Sequence, residues 1–126
     1  MASAAGERIL LVEDNPTSQE LLQQMMECLD CPADFACNGR EAVDMALRND
    51  YRLILMDIQM PVMNGLEATC QIRGSGLSRQ PQIVAMTANA FDDDKKRCLD
   101  VGMNGMLIKP FRLEELQSVL ERYLAG

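Results

Sequence analysis

The sequence predicts a single α/β domain in which five parallel strands alternate with five helices. Short apolar runs recur along the chain between turn residues, and stretches with helical apolar spacing separate them. The runs do not alternate apolar with polar residues, as a sheet covered on both faces requires. The 126 residues suffice for one core and are too few for two. With 48% apolar and 25% charged residues, the chain falls outside the disordered, collagenous and membrane-dominated classes.

The strands are expected at Ile9 to Val12, Ala33 to Cys37, Leu53 to Met56, Ile83 to Met86 and Met106 to Ile108. Between the first two, Leu21, Leu22, Met25, Met26 and Leu29 recur at helical spacing, and Thr17 with Glu20 offers a capping box. Asn38 and Gly39 open a second helix with Ala42, Val43, Ala46 and Leu47 on one face. Asn64 and Gly65 open a third, carrying Leu66, Thr69 and Ile72, which ends at Gly74, Ser75 and Gly76. A fourth runs from about Phe91 to Val101 and stops at Gly102, a residue suited to the left-handed position past a helix end. In the fifth, Leu113, Leu116, Val119, Leu120, Tyr123 and Leu124 form the apolar stripe, while Glu114, Glu115, Glu121 and Arg122 face water. Helical connections of this length impose parallel strands. Residues 1–6 read as a disordered segment and residues 7–126 as the domain.

Twelve Lys plus Arg against nineteen Asp plus Glu give a net charge of −7, with the basic residues scattered, so direct nucleic-acid binding is not expected. No apolar run reaches the roughly 18 residues of a membrane span, and the first residues lack the pattern of a signal peptide, which points to a cytoplasmic domain without membrane contact. The five cysteines, Cys28, Cys31, Cys37, Cys70 and Cys98, are expected to be reduced and mostly buried. Cys28-x-x-Cys31 alone does not make a zinc site, because the chain has no His and no second such pair.

In an open parallel sheet, ligands bind beyond the carboxyl ends of the strands. Here Glu13, Asp14 and Asn15 follow strand one, Asp57 follows strand three, Thr87, Ala88 and Asn89 follow strand four, and Lys109 and Pro110 follow strand five. Taken singly, each is an ordinary turn former, cap or hydrogen-bonding hydroxyl. Together on one edge they describe a site. Converging carboxylates repel one another unless a hard cation sits among them, and Mg2+, with its oxygen ligands, fits. A lysine ammonium and a threonine hydroxyl complete the parts of a phosphoryl-transfer site, with a carboxylate as nucleophile.

At residues 9–16 (ILLVEDNP), 55–65 (LMDIQMPVMNG), 85–90 (AMTANA) and 107–111 (LIKPF), the chain resembles the receiver domains of two-component response regulators over nearly its whole length. The resemblance implies a doubly wound, flavodoxin-like sheet of order 2-1-3-4-5. It implies that Asp57 is the phospho-acceptor, that Glu13 and Asp14 hold Mg2+ with a backbone carbonyl from Gln59, and that Thr87 and Lys109 contact the phosphoryl group. It also implies a small residue at Ala88, a cis Lys109–Pro110 bond, and Phe111 packed behind it. The phosphoryl donor would be a histidine kinase or a histidine phosphotransfer domain, and the chain a monomer or weak dimer. At Met106 the family normally carries a switch aromatic, and Asn104 with Gly105 lacks the acid often found there. The wording is similar to receivers attached to hybrid sensor kinases; a free single-domain regulator is the alternative context. A phosphatase of the haloacid dehalogenase type would need DxDxT after strand one, where this chain has EDNPT at 13–17, and a flavin module would need more aromatic residues.

Overall fold

The computed structural model describes residues 8–58, 63–77, 79–88 and 92–124. Its elements run in the order β1 (Ile9–Val12), α1 (Pro16–Cys28), β2 (Asp34–Ala36), α2 (Gly39–Arg48), β3 (Leu53–Asp57), α3 (Gly65–Arg73), β4 (Gln82–Thr87), α4 (Asp92–Asp100), β5 (Gly105–Ile108) and α5 (Leu113–Leu124). All strand pairings are parallel and the sheet order is β2-β1-β3-β4-β5, as the resemblance implies. The expected disordered segment, Phe91 and Gln59 lie outside the described residues.

The strands read as unbroken apolar runs because each feeds two cores. Leu10, Val12, Ile54, Met56, Ile83 and Ala85 point to the face covered by Ala42, Val43 and Ala46 of α2, Ala68 and Ile72 of α3, and Cys98 of α4. The residues between them, Ile9, Leu11, Leu53, Leu55, Val84 and Met86, point to the other face, beneath Leu22 and Met26 of α1 and Leu116 and Leu120 of α5. A strand's period of two therefore divides each run between the layers, and both halves must be apolar.

Asparagine starts three of the helices. Asn15 accepts hydrogen bonds from the Thr17 and Ser18 amides, Asn38 accepts from Glu41, and Asn64 with Glu67 forms a reciprocal capping box. The expected Thr17 and Glu20 box is thus replaced by an Asn15 cap, because Pro16 occupies the first helical position, where its missing N–H costs nothing. Two expected stripe residues face solvent. Leu21 is 57% and Leu47 46% exposed, each one position, about 100° around the helix, from a buried neighbour, Leu22 after the first and Ala46 before the second. Leu113, at the head of the α5 stripe, is also exposed. Cys28, Cys37 and Cys70 are exposed and only Cys31 and Cys98 are buried, so most thiols are not core; none of the five forms a disulfide. Cys37 sits at a strand end, and Cys28 and Cys70 lie off the buried stripes of their helices.

Two helices end on the same motif. At the end of α4, Gly102 (φ 101°) donates to the Leu99 carbonyl and Met103 to that of Cys98. At the end of α1, Asp30 donates to Glu27 and Cys31 to Met26, but here the left-handed position, φ 56°, is filled by an aspartate. A Cβ is disfavoured in that conformation, and a carboxylate is disfavoured at the negative end of a helix whose last turn carries no basic residue. Asp30→Gly is therefore expected to stabilise the fold by about 0.5–1 kcal/mol, raising Tm by roughly 2–4 °C in a thermal melt.

Candidate functional site

Strand register brings the polar strand ends together. Val12 pairs with Met56, Asp57 with Met86, and Thr87 with Ile108, so Glu13, Asp57, Thr87 and Lys109 line one edge of the sheet. The Lys109 amide donates to the Thr87 carbonyl at 2.7 Å, which carries the ladder of β4 and β5 one residue further and fixes where the lysine departs. From there its ammonium reaches Glu13 Oε1 at 2.8 Å and Asp57 Oδ2 at 3.0 Å. Glu13 is 2% exposed and Asp57 6%, so both carboxylates sit at the bottom of the edge, whereas Asp14 is exposed at its rim. One carboxylate oxygen from each of Glu13, Asp14 and Asp57 lies within 4.8 Å of the other two. Among the described residues this is the only cluster of acids, cysteines or histidines placed to hold a metal ion; Cys28 and Cys31 contribute to none.

Burial raises the Glu13 carboxyl above its ordinary range, nearby Asp57 adds to the effect, and Lys109 opposes it. Burial works against the Lys109 ammonium, but the two carboxylates outweigh it and hold its pKa above the usual lysine value. Thr87 is buried beside them at the end of β4. Lys109–Pro110 is cis, and Phe111 packs against the core cluster under α1 and α5. Ala88 is exposed next to the site. Met106 is half-buried against the core cluster that contains Cys98 and Met103, the α4 side of the sheet.

Two residues at the site are not singled out by sequence reasoning. Gly65, read as a helix opener, starts α3 so close to the end of β3 that a Cβ there would lie 2.4 Å from the Asp57 carbonyl oxygen. Gln19 of α1 donates its amide to the Glu13 carbonyl. Its signal is positional: helical side chains lean back toward the N-terminus, so a polar residue in the first turn after β1 falls over the loop that carries the acids.

The response regulator receiver domain model matches residues 9–121. The chain is 38% identical over 121 residues to hybrid signal transduction histidine kinase K of Dictyostelium discoideum, covering 90% of this chain and 10% of that one. It spans 4–13% of the length of the histidine kinases it matches. Among solved structures, it is similar to the receiver domain of a sensor histidine kinase from Pseudomonas aeruginosa PAO1, described with a magnesium ion coordinated in the active site cleft (42% identity, 95% of this chain and 98% of that one, TM-score 0.88). It is also similar to a chain in the co-crystal of the Saccharomyces cerevisiae histidine phosphotransfer protein Ypd1 with the receiver domain of Ssk1 (34% identity, 93% and 88% covered, TM-score 0.85).

The sign of the pH dependence follows from the two raised pKa values. The stability contributed by Glu13 is present at low pH and lost as pH rises through its raised pKa, so the ionised side chain burdens the fold at neutral pH. That of Lys109 is present below 10.5, the ordinary lysine value, and is lost as pH rises through the higher folded value. Lys109→Met is expected to cost about 1–3 kcal/mol at about pH 7 in metal-free buffer. The cost should shrink below pH 4.5, the ordinary glutamate value, where Glu13 with its raised pKa is already protonated and needs no cation; urea unfolding at neutral and acid pH measures the difference.

Proposed function

The chain belongs to the response regulator receiver domain family, and on that premise we propose that it accepts a phosphoryl group on Asp57 from a phosphohistidine. The observation that carries the reading is the bridge from Lys109 to both Glu13 and Asp57, with Asp14 within reach at the rim. A carboxylate oxygen of Asp57 attacks the phosphorus, the P–N bond breaks, and its electron pair stays on the imidazole nitrogen. The product is an acyl phosphate. Lys109 exchanges a carboxylate contact for a phosphoryl oxygen and holds the added charge, and the Thr87 hydroxyl donates to a second oxygen. Little covalent chemistry is asked of the protein; positioning and charge neutralisation do most of the work.

The donor set, three carboxylates and no sulfur or imidazole, suits a hard cation, and Mg2+ is the one proposed. Asp14, Asp57 and the Gln59 carbonyl would hold it, with Glu13 behind them, and it would neutralise charge on the phosphoryl oxygens. The partner is a histidine kinase or a histidine phosphotransfer domain, and the chain acts as the receiver of a hybrid kinase; the similarity to hybrid-kinase receivers and to the phosphotransfer co-crystal supports both. Met106 stands at the switch position. An unbranched thioether fills a gap in several rotamers of similar energy, so it provides a weaker two-position signal than a ring would.

Asp57→Asn keeps the shape and removes the nucleophile. Labelling by acetyl phosphate should vanish in that variant, and undiminished labelling would overturn the assignment. Mg2+ should raise Tm, by mass action, in the wild type: at about ten times its dissociation constant the gain is about 1.4 kcal/mol. Asp14→Ala should lose most of that gain, and an equal shift in both proteins would place the metal elsewhere.

A further inference from the structure

Glu13 has each of its polar groups engaged. Its amide donates to the Ala36 carbonyl at 3.1 Å, and one carboxylate oxygen takes Lys109 at 2.8 Å. The other oxygen accepts from the Asn15 amide at 3.4 Å, and its carbonyl accepts from the Gln19 side chain. Asp14 is the contrast. Among the described residues none hydrogen-bonds to or pairs with its exposed carboxylate, and the backbone on either side of it sets the direction of that side chain. One flank is the Glu13 carbonyl, held by Gln19; the other is the Asn15 amide, held by Glu13 itself.

Gln19 is suited to this task. It lies in the first turn of α1, where its amide closes the first helical hydrogen bond to the Asn15 carbonyl at 2.9 Å. Its side chain leans back over that turn. Only the NH2 of the side-chain amide can face a carbonyl, so the amide has one orientation. A second contact, to the Cys37 thiol at 3.8 Å, is weaker because sulfur is a poor acceptor. The half-buried amide therefore ties the helix directly to the peptide plane between Glu13 and Asp14.

We infer that Gln19 is a positioning residue for the divalent-cation site: by holding the Glu13 carbonyl it sets the peptide that aims Asp14 toward Asp57. The inference rests on the proposal that Asp14 and Asp57 bind Mg2+. Groups that orient a metal ligand without touching the metal are commonly worth about tenfold or more in affinity.

Isothermal titration of the metal-free chain with MgCl2 tests it, alongside the Tm without metal. Gln19→Leu should bind Mg2+ about tenfold more weakly while its metal-free Tm stays near that of the wild type. Gln19→Glu, which keeps the length but sets a carboxylate against the carbonyl, should weaken binding similarly, and it replaces the leucine variant should that one fail to fold. Cys37→Ala keeps the Glu13 acceptor and should bind as the wild type does. Unchanged affinity in both Gln19 variants, or a lowered Tm with unchanged affinity, would overturn the inference while leaving the metal site intact. Equal loss in Cys37→Ala would also overturn it, by moving the anchor to the thiol. A wild type that gives no Mg2+ isotherm would instead overturn the metal site itself.

Discussion

Two carboxylates buried at one edge of a sheet need a cation, and the arrangement of this molecule follows from supplying it. Glu13 and Asp57 end adjacent strands, β1 and β3, but Lys109 ends β5, with β4 between. Neighbouring strands are spaced about 4.8 Å apart, so the main chain of β5 runs roughly 10 Å from that of β3. A long side chain crossing the end of β4 closes that gap. Thr87 is buried at the end of β4, and its carbonyl fixes the lysine's point of departure. An ammonium shared by two acids leaves the site short of positive charge, which is the condition under which a hard cation is favoured at the rim.

At the opposite edge of the sheet, the starts of β1, β2 and β3 are joined through Asp34, which takes Arg8 and Tyr51, whereas the starts of β4 and β5 are held without a carboxylate. Arg73, at the end of α3, donates to the Gly102 and Pro81 carbonyls and to the side chains of Gln80 and Asn104. Asn104 in turn exchanges hydrogen bonds with Ile83, and its carbonyl accepts from Tyr123 of α5. Every acceptor is neutral, and burial alone lowers the Arg73 pKa. Asn104, notable in the sequence for not being an acid, is thus a junction between β4, the turn into β5 and α5. Gly105 belongs to the same joint, since a Cβ there would lie 2.2 Å from the Tyr123 hydroxyl. At the functional edge two buried carboxylates share one ammonium, whereas around Arg73 the charged group is met by neutral acceptors alone.

Most departures of the structure from the sequence pattern share one cause. Leu21 and Leu47 are apolar and adjoin buried positions, yet which side of a helix meets the sheet is decided by how the helix is set down on it. The same holds for Cys28 and Cys70, apolar in character and exposed in place. At the start of α1, local chemistry decided the matter instead: Asn15 before Pro16 outcompetes a cap beginning at Thr17.

By itself the sequence determined the number of the strands, their alternation with helices along the chain, their parallel direction and the chemical identity of the residues that follow them. These depend on neighbours along the chain: apolar runs, helix-length connections and turn residues act over a few positions. Tertiary structure alone decided that Glu13 is buried while Asp14, next to it, is exposed, that Lys109 serves two acids at once, and that Gln19 takes hold of the Glu13 carbonyl. Lys109 lies 96 residues from Glu13 and 52 from Asp57 along the chain, and burial, charge pairing and pKa depend on which groups the sheet brings within a few ångströms, which no local pattern encodes.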